Sequence, residues 1–186
     1  MHITPQSALI IVDVQKAIDL PYWGVRNNID AEMKMRSILE MWRNLGYPIF
    51  HIQHNSNEEA SGYNPARISH AFKDETVPIN GEVVIGKSVH SAFVGTDLTQ
   101  RLHQLAVDEI FMFGVKTNNS IETSVRHGAN LGFDILLIED ACFTHNQKDW
   151  NGKLRSAEDV HAMTLSNLEG EYCRVVTSSQ VLNAQT

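Results

Sequence analysis

Residues 109–123 have the sequence EIFMFGVKTNNSIET, in which a short polar turn joins one apolar run to a second apolar pattern. The run at 109–113 predicts a buried strand, and the apolar spacing over 121–131 predicts a helix. A strand that turns tightly into a helix leaves backbone N–H groups free at the helix start. Ser120 occupies that position, so it either caps the helix or acts as a nucleophile with oxyanion donors beside it.

Further apolar runs predict five more strands, at residues 8–12, 48–54, 82–85, 134–138 and 172–176. Apolar residues at helical spacing predict four more helices, at 31–45, 96–105 with Thr96 as its cap, 156–168 and 177–182. We expect residues 143–156 to form a polar loop. Strands that alternate with helices are typical of α/β proteins, so we predict a three-layer α-β-α architecture around a six-stranded parallel sheet. No repeat or linker divides residues 1–186, which we expect to form a single domain.

The composition excludes several classes of function. The formal net charge is −7 and the chain has no basic run, which argues against nucleic-acid binding. No apolar stretch approaches the roughly 18 residues of a membrane span, and we expect no signal peptide, because the first residues lack a basic segment followed by an apolar one. With only two cysteines, Cys142 and Cys173, we expect no disulfide framework and a cytoplasmic location.

Three polar residues lie at or just beyond the carboxyl ends of predicted strands. Asp13 follows the first strand, Lys87 the third, and Ser120 the fourth. Open α/β sheets bind their ligands at this edge, which makes the three residues candidates for one site. The alternative for Asp13 is a hydrogen bond to a nearby loop, and the alternative for Lys87 is an ordinary solvated charge.

Three motifs in this order resemble those of the isochorismatase-like hydrolases, also called the cysteine hydrolase family. They are ALIIVDVQ at 8–15, GEVVIGKSVHSAF at 81–93 and GVKTNNSIETS at 114–124. The resemblance extends from residue 8 to about residue 176. It implies a Rossmann-like fold with six parallel strands, and an activity like that of the nicotinamidases and the carbamoyl and amide hydrolases in this family.

The resemblance also implies a role for each candidate residue. Asp13 would be the general base, Lys87 would orient that base and stabilise charge, and residue 120 would be the nucleophile. A cis peptide bond would join Val115 to Lys116. The backbone amides of Lys116 and Ser120 would then bind the oxyanion.

The nucleophile position departs from the family pattern, because the chain has Ser120 where the family has cysteine. Proton transfer from an unperturbed thiol to an unperturbed aspartate is uphill by about 6 kcal/mol, and burial and a nearby lysine can close that gap. An aliphatic alcohol is a far weaker acid than a thiol. We therefore expect little or no acyl transfer by Ser120.

Three explanations for the serine remain open. It is an introduced Cys→Ser change in an amide, carbamoyl or ureido hydrolase, or it is native in an enzyme that needs no covalent step. Isochorismatases hydrolyse a vinyl ether in that second way, by acid catalysis with the aspartate. In the third explanation the protein is a non-catalytic binding or scaffold protein.

The resemblance bears on metals and partners as well. Nicotinamidases carry an Asp-x-His…His zinc site after the second strand, whereas residues 51–55 here are HIQHN. We therefore expect no metal and no other cofactor. We expect a small-molecule substrate and, as in other family members, a homodimer or larger homo-oligomer.

Position along the chain gives a set of candidate substrate-binding residues. The segments 19–28 and 55–81 are long and loop-like, and we expect them to set specificity. The candidates are Trp23, Asn27, His54, Phe93, Asn118 and Asn119.

Overall fold

Six strands form one parallel sheet, and a short antiparallel hairpin lies outside it. This computed structural model describes residues 1–185. The strands are β1 (Ser7–Val12), β2 (Ile49–His54), β3 (Val83–Lys87), β4 (Glu109–Val115), β5 (Asp134–Phe143), β6 (Gln147–Lys148), β7 (Leu154–Arg155) and β8 (Arg174–Val176). The α-helices are α1 (Ala31–Leu45), α2 (Leu98–Gln104), α3 (Glu122–Asn130), α4 (Ala157–Leu168) and α5 (Ser178–Leu182).

The strand order places β1 and β4 side by side at the middle of the sheet. The order is β3-β2-β1-β4-β5-β8, so the chain first builds outward from β1 and then returns to build outward from β4. The two halves separate at the carboxyl ends of β1 and β4, which is the topological switch point where sheets of this type bind ligands. The prediction of a six-stranded parallel α/β sheet is confirmed.

Strands β1 and β4 are buried on both faces because helices cover the sheet. Every residue of β1 is buried, and in β4 all residues except Glu109 are buried. The continuous apolar sequence of these strands follows from that environment, since neither face meets water. Helix α1 packs against α5, α3 packs against α4, and both α1 and α3 contact β5.

Gly114 allows β4 to approach β1 closely. Its φ is 144°, a conformation that L-residues with a side chain rarely adopt, and a Cβ at this position would overlap the backbone of Val12. Gly114 and Val12 are register partners at the carboxyl ends of their strands. The close approach therefore lies directly below the turn that carries Ser120.

Several local predictions differ from the structure. Strand β5 continues to Phe143 instead of ending at residue 138, and β8 begins at Arg174 instead of residue 172. The segment 143–156, expected to be a polar loop, contains the hairpin of β6 and β7. Helix α2 begins at Leu98 with Asp97 at the cap position, whereas the sequence predicted Thr96 as the cap. Ser156 caps α4 by accepting a hydrogen bond from the Asp159 amide at 3.1 Å.

Within residues 1–185, every helix is too short or too polar to cross a bilayer.

Candidate active site

Asp13, Lys87 and Ser120 meet at the switch point, although 33 or more residues separate Lys87 from each of the other two. The Lys87 ammonium donates hydrogen bonds to Asp13 Oδ2 at 2.7 Å and to Ser120 Oγ at 3.4 Å. All three residues are buried, with 3–5% of their surface exposed. One lysine therefore links the candidate base to the candidate nucleophile position.

Lys87 reaches this point by passing over the end of β2. His54, the last residue of β2, is the register partner of Lys87, and its Nδ1 lies 3.2 Å from the Lys87 Nζ. The same Nζ donates to the Val89 carbonyl at 3.0 Å. Burial lowers the pKa of His54, so its neutral imidazole adds no second positive charge beside the Lys87 ammonium.

Asp13 has one oxygen bound and one oxygen free. Its Oδ2 accepts from Lys87, whereas its Oδ1 is buried and has no hydrogen-bond partner among residues 1–185. The backbone of Asp13 has φ 58°, in the left-handed region that non-glycine residues rarely occupy. An unpartnered buried carboxylate oxygen at a cleft is free to bind a substrate group or to accept a proton.

The turn that carries Ser120 is a single π-helical turn, Thr117–Ile121, which leads directly into α3. The peptide bond from Val115 to Lys116 is cis. The hydroxyl of Ser120 does not cap α3, because the residue at the cap position is Ile121 and no side chain bonds the helix start there. The structure therefore excludes the alternative in which Ser120 serves only as a helix cap.

A buried polar contact that the sequence did not reveal holds the start of this turn. Thr117 Oγ1 lies 2.9 Å from Nδ1 of His161 on α4, and His161 Nε2 lies 3.4 Å from a carboxylate oxygen of Glu139. Both Thr117 and His161 are buried. Only the tertiary packing of α4 against the turn brings these residues together, so no local sequence pattern marks them.

A cleft of about 430 Å³ opens above the linked residues. Fifteen residues line it: Asp13, Ile18, Tyr22, Trp23, His54, Ser56, Glu58, Ala60, Ser61, Tyr63, His90, Val115, Lys116, Asn119 and Ser120. The lining includes the predicted Trp23, His54 and Asn119. Tyr22, which the sequence left open as a pocket or core residue, also lines the cleft. Sequence reasoning missed Tyr63, from the predicted specificity loop 55–81, and His90.

Three candidate substrate-binding residues lie outside the cleft lining. Phe93 is buried and stacks on Phe133 at a centroid distance of 6.1 Å, so it is part of the core. Asn27 accepts a hydrogen bond from the Thr144 amide at 2.8 Å, and Asn118 accepts one from the Thr144 hydroxyl. Their side chains join the segment after β5 to the neighbouring loops, because loop polar groups that become buried must be paired.

Trp23 forms a rigid wall of the cleft. Its indole N–H donates to the Ala17 carbonyl at 2.8 Å, and its ring stacks on His145 at 5.8 Å. The Lys116 ammonium lies 4.8 Å from the ring centroid. Burial lowers the pKa of Lys116, and burial together with the charges of Lys116 and Arg26 lowers the pKa of His145 to about 4.

The Isochorismatase domain model matches residues 7–175. The chain belongs to the isochorismatase family. It is 38% identical to the uncharacterized isochorismatase family protein YrdC of Bacillus subtilis, over 96% of this chain and 95% of that protein. A crystal structure of an isochorismatase-family protein from Chromobacterium violaceum is 45% identical, with a TM-score of 0.96 over 99% of this chain and 96% of that one.

Some more distant relatives in the isochorismatase family are named for an enzymatic activity. Nicotinamidase 3 of Arabidopsis thaliana is 26% identical over 87% of this chain and 80% of its own length. Ureidoacrylate amidohydrolase RutB of Pantoea ananatis is 26% identical over 74% of this chain and 70% of its own length. The family is therefore one of hydrolases that act on amides and related substrates.

Neither thiol of this isochorismatase-family protein lies in the cleft lining. Cys142 and Cys173 are both free and buried. Burial raises the pKa of Cys142 and raises that of Cys173 to about 12, which keeps both thiols protonated and unreactive. Within residues 1–185, no three His, Cys, Asp or Glu side chains are grouped as a metal site.

Proposed function

We propose that the protein hydrolyses a C–N bond in a small amide, carbamoyl or ureido substrate. The observation that carries this proposal is the position of the Lys87 ammonium, within hydrogen-bond distance of both Asp13 and residue 120 at the base of the cleft. Family relatives named as amidohydrolases support the same class of reaction. A cleft of about 430 Å³ suits a small molecule.

In the proposed reaction, residue 120 attacks the substrate carbonyl and transfers its proton to Asp13. The backbone amides of Lys116 and Ser120 stabilise the tetrahedral oxyanion, and the amine leaves with the proton that Asp13 returns to it. Asp13 then takes a proton from a water molecule, which attacks the acyl-enzyme. The bond between the acyl group and residue 120 breaks, residue 120 regains the proton from Asp13, and the acid is released. Lys87 holds Asp13 in position and favours an anion at residue 120.

The serine makes the first of these steps slow. A hydroxyl is a much weaker acid than a thiol, and no histidine lies within hydrogen-bond distance of the Ser120 oxygen among residues 1–185. The one side chain that donates to it is Lys87, which is a cation and not a base. We therefore propose that the Ser120 form has weak or no amide hydrolase activity and that a cysteine restores it.

The test compares the Ser120 protein with its Ser120→Cys variant on a panel of small amides and ureido compounds. We expect ammonia release to rise at least about 100-fold in the variant, the scale on which acid–base and nucleophilic groups contribute. Ser37→Cys, which adds a thiol at an exposed position on α1, is the matched control and should stay at the level of the Ser120 protein. Equal rates for Ser120→Cys and Ser37→Cys would overturn the proposal.

The free oxygen of Asp13 favours a second candidate function. In its protonated form, Asp13 would transfer a proton from its unpartnered Oδ1 to a vinyl ether, which is how isochorismatases act without a covalent intermediate. In that case the Ser120 protein itself would consume isochorismate, and Asp13→Asn would stop it. If neither form acts on any of these compounds, a non-catalytic binding role becomes the better explanation.

We also propose that the protein forms a homo-oligomer in the cytoplasm. The two free, buried cysteines agree with a reducing compartment, and exposed apolar side chains such as Ile29, Ile68 and Trp150 are available for subunit contacts. Light scattering that gave the monomer mass of 20.9 kDa would rule out the oligomer.

A further inference from the structure

Lys116 carries a positive charge in the cleft that no acidic group balances. Its side chain is half-buried and lines the cleft, yet its ammonium makes no ion pair and no hydrogen bond with any of residues 1–185. Its nearest described interaction is with the Trp23 ring, at 4.8 Å. Burial lowers its pKa, as expected for a cation that is partly removed from water without a counter-charge.

The other buried or half-buried cations of this region are all paired. Lys87 lies 2.7 Å from Asp13, Lys73 lies 2.7 Å from Glu32, and the Arg26 guanidinium lies 2.6 Å from the same Glu32. A charge taken partly out of water without a partner costs free energy. Lys116 is thus the exception in a region where every other such cation has a carboxylate.

Neither of the two carboxylates in the cleft lining, Asp13 and Glu58, forms an ion pair with Lys116. The carboxylate of Asp13 is already paired with Lys87, and Glu58 is an exposed residue of the segment after β2. Trp23 is fixed by its hydrogen bond to Ala17, so its ring holds the lysine side chain on the cleft wall. The positive charge therefore faces the space that a ligand would fill.

We propose that the Lys116 ammonium binds a carboxylate of the substrate, so that the protein prefers amides or ureido compounds that carry a second, anionic end. This inference rests on the proposed function for the identity of the reacting group. It adds the charge of the substrate and the residue that selects it. Because the backbone amide of Lys116 lies in the proposed oxyanion site, its side chain would recognise the carboxylate close to the bond that breaks.

The test uses matched pairs of compounds that differ in charge. Malonamate, succinamate and glutaramate each carry one amide and one carboxylate at increasing spacing, and malonamide, succinamide and glutaramide are their neutral counterparts. In the Ser120→Cys background, we expect the charged member of the best pair to have the higher kcat/KM. Lys116→Met should lower the ratio of charged to neutral kcat/KM by about 10- to 100-fold, the usual effect of losing a hydrogen bond to a charged group. Lys116→Arg should keep most of the ratio.

Lys148→Met is the matched control, because Lys148 is exposed on the hairpin and should leave the ratio unchanged. Equal losses for charged and neutral compounds in Lys116→Met would overturn the inference, since the residue would then act on the reaction or the fold. Active Ser120→Cys protein without any preference for charge would also overturn it, while leaving the proposed function in place.

Calorimetry on the Ser120 protein separates the two proposals if the cysteine variant is inactive. Binding of succinamate or glutaramate that weakens about 10-fold or more in Lys116→Met would support the carboxylate site, although the proposed hydrolysis had failed. Absence of both turnover and binding for all three anionic compounds would overturn the carboxylate site as well.

Discussion

The ion pair between Asp13 and Lys87 is buried, so the stability of each charge depends on the other. We predict that Asp13→Asn lowers the free energy of unfolding by about 3 kcal/mol, because it leaves the Lys87 ammonium without a counter-charge. The same change should abolish hydrolysis by the Ser120→Cys protein. Urea unfolding at pH 7.5 and the ammonia assay measure the two effects.

The double variant Asp13→Asn with Lys87→Met separates the two effects. It removes both charges, so it should regain much of the lost stability but none of the activity. Asp97→Asn, at an exposed ion pair with Arg101, is the control and should cost less than about 1 kcal/mol. If Asp13→Asn proves no more costly than this control, the pair is not the interdependent unit that its burial indicates.

The sequence predicts strand-end residues better than loop residues. Asp13 and Lys87 come together because apolar runs define where parallel strands end, and parallel strands end at one edge. Phe93 and Asn27 follow no such rule, since the direction of a loop side chain depends on backbone turns that periodicity does not encode. The sequence predicted a role only for the backbone amide of Lys116. No local sequence pattern indicated that its side chain lines the cleft.

Strand β4 can take its place beside β1 only because residue 114 has no side chain. We predict that Gly114→Ala lowers the free energy of unfolding by about 3 kcal/mol or more, since the added Cβ overlaps the Val12 backbone and φ is strained as well. Thermal unfolding followed by circular dichroism measures the loss. Displacement of β4 should also lower the activity of the Ser120→Cys protein, because the turn after β4 carries residue 120.

Gly152→Ala is the matched control for this change. Gly152 also has a positive φ, of 82°, but a Cβ there would meet no atom within 4 Å. Its cost should stay near the roughly 1 kcal/mol of backbone strain alone. Similar losses at Gly114 and Gly152 would show that strain, and not the close approach of β4 to β1, makes residue 114 a glycine.

The central strands β1 and β4 were predictable because each contains a continuous apolar run, which a parallel strand covered on both faces requires. The edge strands β3 and β8 gave weaker signals, because each includes at least one exposed residue. The hairpin of β6 and β7 was not predictable in this way. Each of its strands has two exposed residues, so burial leaves no pattern in the sequence. Its pairing depends on the turn at 149–153, where the Asp149 carboxylate accepts hydrogen bonds from the Asn151 and Lys153 amides.

The burial of several histidines makes the free energy of unfolding of the whole protein depend on pH. It lowers the pKa of His51, His54 and His70 from 6.5 and lowers that of His145 to about 4. Below pH 6.5 the unfolded chain therefore binds protons that the native protein does not bind. The stability from these histidines is complete above pH 6.5 and is lost as the pH falls toward their native pKa values.

We predict that the free energy of unfolding falls between pH 7.5 and pH 5, with about 2 kcal/mol of the loss due to His145 alone. Carboxylates do not dominate this window. Burial raises the pKa of Glu32, but hydrogen bonds from Arg26 and Lys73 outweigh it and lower the pKa from 4.5 to about 2. The stability from Glu32 is thus present above pH 4.5 and is lost only below it.

Urea unfolding of the Ser120 protein and of His145→Gln at both pH values checks the assignment. Between the two pH values, the free energy of unfolding should fall by about 2 kcal/mol less in the variant than in the parent. Identical losses would show that burial does not lower the pKa of His145 in the native protein.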